Sequence, residues 1–514
     1  MSQRAAVFLG AAAFLVALAA RVGAAEAYAP AAITVPQLFE RNRHAVGTLG
    51  AGAYHIVSRE RSAAGDVWTS ETFTNGHDFR TTVKVGGFSS SFGSYRDTPW
   101  EQDENGLVTR TTGAFTEIDP FLESMRGMQN PSSGVRLLGL TTGVAPALVV
   151  EVVPSNGLVE RRYYDPQTYL LTRLDLTDYD GHKQTYTYGD YRRVSGRSVA
   201  YAIGYQRDGV AVTQTNVITY ESVPPASLDL TPPVSKPLFE LGAEDSVTIP
   251  ARFTDSGIIV GVKIAGRGLD FVLDTGASNF LIDPQIAHEL GMSLTGALPV
   301  SYGGDFTMAN ARAPDLSVGS LTAKSVAFST APFEEQLPDQ RVVGLLGTDF
   351  IASGALEIDY KKKTLTLMRS APPDLAAKGR SALPVRLDYG VPLVRASFSN
   401  LPGYFIADLG AVYTTLFPHY FSRFPNLVPR GMADQDELEM IGGKPFGVKH
   451  VTMRTMTLGD WVFGGVQVVV PSAQYAQDRD FDGLIGRDTL SNFNMIFDYG
   501  NARLWFKPID QEIP

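Results

Sequence analysis

Asp274, Thr275, Gly276, Ala277 and Ser278 follow directly on the apolar run Phe271-Val272-Leu273, and about 70 residues later the chain reads Gly344-Leu345-Leu346-Gly347. The same two-part pattern returns as Phe405-Ile406-Ala407-Asp408-Leu409-Gly410-Ala411, followed by Gly483-Leu484-Ile485-Gly486. The offset is nearly constant: 408 − 274 = 134 for the aspartates and 483 − 344 = 139 for the later glycines. Flanking segments repeat as well, with Ile249-Pro250-Ala251-Arg252-Phe253 echoed by Leu383-Pro384-Val385-Arg386-Leu387. A duplicated unit that delivers one strand-end aspartate from each half supplies what a two-carboxylate site needs. Two carboxyl groups sharing one proton can take a proton from water and give one to a carbonyl oxygen or a leaving amine. Like charges a few ångström apart cannot both ionise, so the pair's apparent pKa values split.

An aspartate in that role needs a strand behind it and a sharp turn after it. The glycine two residues on from each aspartate lets the backbone turn and approach its counterpart closely. Upstream, residues 30 to about 225 form short alternating segments rich in Tyr, Thr and Val, such as Leu148–Val153, Leu170–Leu176 and Gln184–Tyr188, broken by turns at Thr74-Asn75-Gly76 and Asp180-Gly181. These read as antiparallel strands joined by hairpins. One helix is expected over Val35–Val46, with Glu40 and Arg41 on its polar side. The proline-dense stretch Pro224-Pro225, Pro232-Pro233 and Pro237 cannot continue a hydrogen-bonded ladder and reads as a linker. Ser370-Ala371-Pro372-Pro373-Asp374 separates the two repeats.

Composition narrows the function classes. At 514 residues the chain has room for about three domain-sized units, and 44% hydrophobic with 19% charged residues describes a globular protein. A net charge of −10 with no long Lys/Arg cluster argues against a nucleic-acid partner; Lys361-Lys362-Lys363 reads as a hairpin turn. With no cysteine there is no disulfide framework and no thiolate chemistry. Residues 5–20 are almost wholly apolar between Arg4 and Arg21, and Val22–Ala27 ends in an Ala-x-Ala pattern. Residues 1–27 therefore read as a secretory signal peptide, placing the protein in the periplasm or outside the cell with no stable membrane span after cleavage. His288-Glu289-Leu290 lacks the second histidine of a zinc-protease helix, and no phosphate-binding loop or Gly-x-Ser-x-Gly turn is present. No metal and no cofactor are expected.

The doubled hydrophobic-hydrophobic-Asp turn, each copy paired with a later hydrophobic-hydrophobic-Gly, resembles the aspartic proteases of the retropepsin and pepsin type. Gly486-Arg487-Asp488-Thr489-Leu490 is similar to the segment that follows the second motif in retroviral-type members, and the likeness extends over about 245–510. It implies a mainly β chain with two acid-protease-like β-barrel lobes, at 245–370 and 382–514, joined by a connector at 371–381. It also implies a polypeptide substrate, hydrolysed by water between a catalytic pair Asp274 and Asp408. Thr275, Gly276 and Gly410 are then the supporting turn, with the Thr275 hydroxyl donating to backbone across the lobe interface. Tyr302, Gly303 and Gly304 become the tip of a covering flap within Val300–Asp305, and Met440–Lys444 is a second candidate flap.

The pattern departs from the family at Leu409, where relatives carry Thr or Ser. Half of the cross-lobe lock is therefore expected to be absent and the Asp408 loop to be the more mobile. Three readings stay open at this point: a dyad within one chain, a site built from Asp274 of two chains, and a second lobe that has lost catalysis and only binds peptide or lipid. Retroviral-type relatives pair the arginine equivalent to Arg487 with an aspartate four positions after the catalytic one. Val412 stands there, so Arg487 is expected to be solvated or paired elsewhere. More loosely, the β-rich block at 28–225, followed by a linker at 226–244, is similar to the curved half-barrel of periplasmic lipoprotein carriers. That resemblance implies an apolar cavity able to hold a lipid or an extended peptide.

Overall fold

The computed structural model describes residues 27–47, 52–96, 98–110, 134–142, 145–152, 159–177, 182–255, 257–301, 305–333, 342–388, 390–423, 436–438, 446–471 and 481–509. Most of the expected leader, the flap residues Tyr302, Gly303 and Gly304, and the segment 440–444 lie outside the described residues. The fold is mainly β, with sheets of fourteen, thirteen and eight strands. Among the described residues, no helix is long and apolar enough to cross a membrane.

The fourteen-stranded sheet runs from Tyr28–Ala29 to Val108–Arg110 and is antiparallel throughout its registered pairs, mostly between strands adjacent in sequence. The helix occupies Val35–Val46, with Glu40 and Arg41 exposed as expected. It starts where Thr34 and Gln37 satisfy each other's backbone N–H groups in a capping box. Leu38 and Phe39 are buried in the apolar cluster on the sheet. The helix touches both Val135–Thr141 and Arg197–Arg207, five strands apart in the sheet order. In a flat sheet those strands would lie ~24 Å apart, against a helix diameter of ~10 Å. The sheet therefore curls around the helix.

Residues 257–346 form a closed barrel. Its strands are Gly257–Ile264 (β1), Arg267–Leu273 (β2), Leu281–Ile282 (β3), Asp305–Val318 (β4), Leu321–Thr330 (β5) and Val342–Leu346 (β6). They join in the order β1-β2-β6-β3-β5-β4, and β4 returns to pair with β1. A second barrel repeats this with Val391–Phe398 (β7), Leu401–Ala407 (β8), Thr415–Leu416 (β9), Phe446–Leu458 (β10), Trp461–Pro471 (β11) and Gly483–Ile485 (β12). Its order is β7-β8-β12-β9-β11-β10, closed by β10 on β7. Closure leaves neither ring with an open edge. Alternate residues Ile258, Val260, Val262 and Ile264 of β1 all enter one core, as a half-buried strand's period of two requires.

Six further strands join the barrels, three from each half, and the central pair matches Leu356 with Phe497 and Ile358 with Met495. A shift of 139 residues carries Leu356 onto Met495 and Ile358 onto Phe497, so the pairing maps onto itself. That is the register of a pseudo-two-fold axis through the middle of the sheet.

The N-terminal sheet is docked on the first barrel. Leu298 and Ala327 are buried in the cluster of Val83, Val85 and Phe88. The Asn105 side chain donates to Ala327 O (3.0 Å) and accepts from Ala327 N (2.8 Å), and Asp66 accepts from Ala297 N (3.1 Å). Arg312 stacks on the Phe88 ring. The proline-rich stretch lies along the same edge, where Ser235 accepts from Val108 N, and it delivers Phe239 into the barrel core against Phe350.

Candidate active site

Asp274 and Asp408 each follow the last residue of a strand, β2 and β8, and each strand lies parallel to the short strand of its barrel that carries the later glycine motif. The backbone is held identically, with Asp274 N donating to Leu346 O and Asp408 N to Ile485 O, both at 3.0 Å. The structure brings the two side chains together, the Asp408 carboxyl against Gly276 and the Asp274 carboxyl against Gly410, and each acts on the protonation of the other. Gly276 and Gly410 each donate an N–H to the carboxylate of their own loop at 2.8 Å. Each also faces the opposite aspartate. A methyl group on Gly276 would sit 2.5 Å from Asp408 Oδ2, and one on Gly410 would sit 2.4 Å from Asp274 Cγ. A side chain at either position would have to push the opposite carboxyl group aside.

Burial raises the Asp274 pKa well above the usual carboxylate range, and the charge of Asp408 raises it further. Burial also raises Asp408, but N–H groups of Ala411 and Gly410 and the hydrogen bond from Asp274 pull it back. Both carboxyl pKa values are thus held up, so the pair shares a proton between its two members.

Thr275 is fully buried and donates its hydroxyl to Ala407 O of the other barrel at 2.6 Å, while its oxygen accepts Leu409 N at 2.9 Å. One threonine thus closes two bonds across the interface. Leu409 contributes no hydroxyl, and its side chain is fully buried in the main apolar core. The Asp408 loop was expected to be loosened by this residue, yet its backbone N–H is bound and its carboxylate takes two N–H donors.

Two further cross-barrel ties were not apparent from the motifs. Thr348 Oγ1 shares its proton between Ala277 O (3.0 Å) and Gly390 O (2.8 Å), the latter at the entry to β7. Its counterpart at an offset of 139 is Arg487, whose Nη1 donates to Asp255 O (2.8 Å) at the entry to β1. Arg487 is buried, not solvated, and its pKa is lowered by that burial. Its Nε and Nη2 have no hydrogen-bond partner among the described residues. The near-constant offset could have flagged this pair, but nothing in the sequence shows which carbonyl each would reach. Asp488 caps Thr414 at both N (2.9 Å) and Oγ1 (2.7 Å), whereas its equivalent Asp349 accepts from Asn105 of the N-terminal sheet (2.9 Å).

Comparison with known proteins agrees with the resemblance over this region. The sequence profile of a family described as aspartyl protease matches residues 260–350, which include Asp274 and end before Asp408. No curated protein matches the chain. Among solved structures, an aspartic proteinase from Irpex lacteus is similar at 14% identity, with 51% of this chain and 97% of that one covered and a TM-score of 0.36. A LolA superfamily protein from Nitrosomonas europaea is similar at 10% identity, with 37% of this chain and 94% of that one covered and a TM-score of 0.29. The chain thus resembles an aspartyl protease over 260–350.

Proposed function

We propose that the protein is an aspartic endopeptidase whose catalytic pair is Asp274 and Asp408 of a single chain. The observation that carries this reading is the pair of carboxyl groups, one from each barrel, each lying against the glycine turn of the other and each with its pKa raised by burial. A water between them loses its proton to Asp408 as its oxygen attacks the peptide carbonyl, and Asp274 gives its proton to the carbonyl oxygen. Asp408 then returns its proton to the amine nitrogen as the carbon–nitrogen bond breaks, and the resulting hydroxyl returns a proton to Asp274. The N–H of Gly276 on Asp274, those of Gly410 and Ala411 on Asp408, and the cross-barrel bonds of Thr275 hold this geometry before substrate arrives. A site built from two chains is not needed for this pairing.

In the same reading the barrels at 245–370 and 382–514 are copies of one unit, and the block at 28–225 is an accessory domain that fixes the first of them. The apolar N-terminal run with its Ala-x-Ala pattern favours a periplasmic or secreted setting. Digestion of a peptide library tests the proposal. Cleavage that peaks at mildly acidic pH, is blocked by a pepstatin-type inhibitor and is abolished in Asp274→Asn and Asp408→Asn supports it; cleavage that survives both substitutions refutes it.

A further inference from the structure

We infer that the N-terminal sheet positions one member of the catalytic pair: Asn105 holds the turn Gly347-Thr348-Asp349, and that turn in its place holds the Asp274 turn. This rests on the proposed endopeptidase reading and adds to it a positioning residue from outside both barrels. Thr348 N and Thr348 Oγ1 both donate to Ala277 O, at 2.9 and 3.0 Å. A methyl group on Gly347 would sit 2.2 Å from Asn279 O and 2.7 Å from Ala277 O, so the two turns lie in contact. A shift of residues 347–349 therefore carries the Asp274 turn with it.

Segments outside the barrel hold residues 347–349. The Asn105 amide donates to Asp349 Oδ2 at 2.9 Å, and Asp349 is buried. Asn105 is itself fixed: its N–H and that of Leu107 both donate to Asp103 Oδ1, and its side chain closes two bonds on Ala327. From the linker, Phe239 N donates to Ser353 Oγ (3.2 Å), and that hydroxyl donates to Asp349 O (3.1 Å). The edge strand Val108–Arg110 reaches the junction of the barrels as well. A methyl group on Gly390 would sit 3.6 Å from Thr109 Cγ2 and 3.1 Å from Thr348 Cγ2, and Gly390 O accepts Thr348 Oγ1.

The second barrel solves the same problem with its own residues. Asp488, the counterpart of Asp349, caps Thr414 of its own loop, and Asn492, the counterpart of Ser353, donates to Asp488 O at 3.0 Å. An offset of 134 puts Phe280 where Thr414 stands. Phe280 is a buried core side chain and offers no hydroxyl, and Asn105 meets the Asp349 carboxylate instead. A buried carboxylate that loses a donor is driven to move toward another. Loss of Asn105 thus acts on the Asp274 turn, while the Asp408 turn has no such dependence.

The test uses the full chain and reads both turnover and backbone hydrogen exchange. Asn105→Asp sets one carboxylate against another. It is expected to lower kcat by about tenfold to a hundredfold, the scale on which a ~1 Å misplacement acts, with KM little changed. Turnover is taken per folded molecule, from near-ultraviolet circular dichroism, so that loss of folded protein alone does not register. Exchange should quicken over residues 273–279 and 346–351 and stay unchanged over 407–412. The reciprocal double variant, Asn105→Asp with Asp349→Asn, rebuilds a donor facing an acceptor and should recover most of both losses. Arg312→Ala removes the stacking on Phe88 elsewhere in the same docking surface, and it should lower thermal stability without changing kcat or exchange over 273–279. If kcat or exchange over 273–279 is unchanged in Asn105→Asp, or if Arg312→Ala loses as much, the positioning role is overturned while the endopeptidase reading stands. If wild type cuts no peptide, the endopeptidase reading falls and exchange over 273–279 alone decides the other. Quickened in Asn105→Asp and restored in the double variant, it upholds the positioning role; unchanged, it overturns it.

Discussion

The two barrels share a strand order, a closing pair and a glycine against the opposite carboxyl, yet they are stabilised in different ways. The first leans outward: Asp349 is bound by Asn105, Asp66 and Asn105 reach backbone of the 297–327 region, and Leu298 and Ala327 enter the N-terminal core. In the second, Asp488 is instead satisfied by Thr414 inside its own loop. Symmetry is strict where two carboxyl groups must meet, and relaxed one shell further out. A backbone position that sets the aspartate geometry tolerates no change, whereas a bond from Thr348 or Arg487 to the facing carbonyl can be made by either side chain.

The largest effect expected on this comparison comes from the aspartates. Asp274→Asn and Asp408→Asn should each lower peptide cleavage by about 10²–10⁴-fold or more, measured as kcat/KM with the library peptides. Their stabilities should differ. A carboxyl with a raised folded pKa contributes stability below its unfolded value of about 4 and loses it as pH rises through the folded value. Asparagine imitates the protonated Asp274 without that loss, so Asp274→Asn should melt higher than wild type at pH 7, at roughly 2–4 °C per kcal/mol. The advantage should vanish below pH ~4, and Asp408→Asn should show a smaller one.

Next come the glycines. Gly410→Ala places a methyl group 2.4 Å from Asp274 Cγ and Gly276→Ala one 2.5 Å from Asp408 Oδ2. Both should cost about 1–3 kcal/mol by denaturant unfolding and abolish activity. Near-wild-type activity in either variant would show that the carboxyl groups do not meet as described.

Thr275 and Leu409 separate the barrels more finely. Thr275→Val strands Ala407 O and Leu409 N in a buried interface, at about 1–3 kcal/mol for each group left unpaired. The sequence alone suggested that Leu409→Thr would strengthen a half-missing lock. Because Leu409 is fully buried among apolar side chains, the expected sign is the reverse: destabilisation of about 1–3 kcal/mol with no gain in turnover. The smallest effect belongs to Asn105→Ala, which should lower stability by about 1–2 kcal/mol. Limited proteolysis should show that loss as easier cutting in the first barrel, with the second unchanged.

The sequence by itself determined the doubled aspartate motif, the β-rich block before a proline-dense linker, and the helix at Val35–Val46, because each depends on neighbours: an apolar run, a glycine two residues on, a capping threonine. It also marked Leu409 as the departure and Arg487 as lacking its usual partner. Tertiary structure alone decided what those two residues do. Leu409 packs into a core assembled from both barrels and the joining sheet, and Arg487 reaches a carbonyl 232 residues away. Asn105 likewise finds Ala327 and Asp349 only after the N-terminal sheet has curled and docked. Burial and hydrogen bonding between distant segments follow from how the strands close into rings, and no local pattern of side chains encodes that distance.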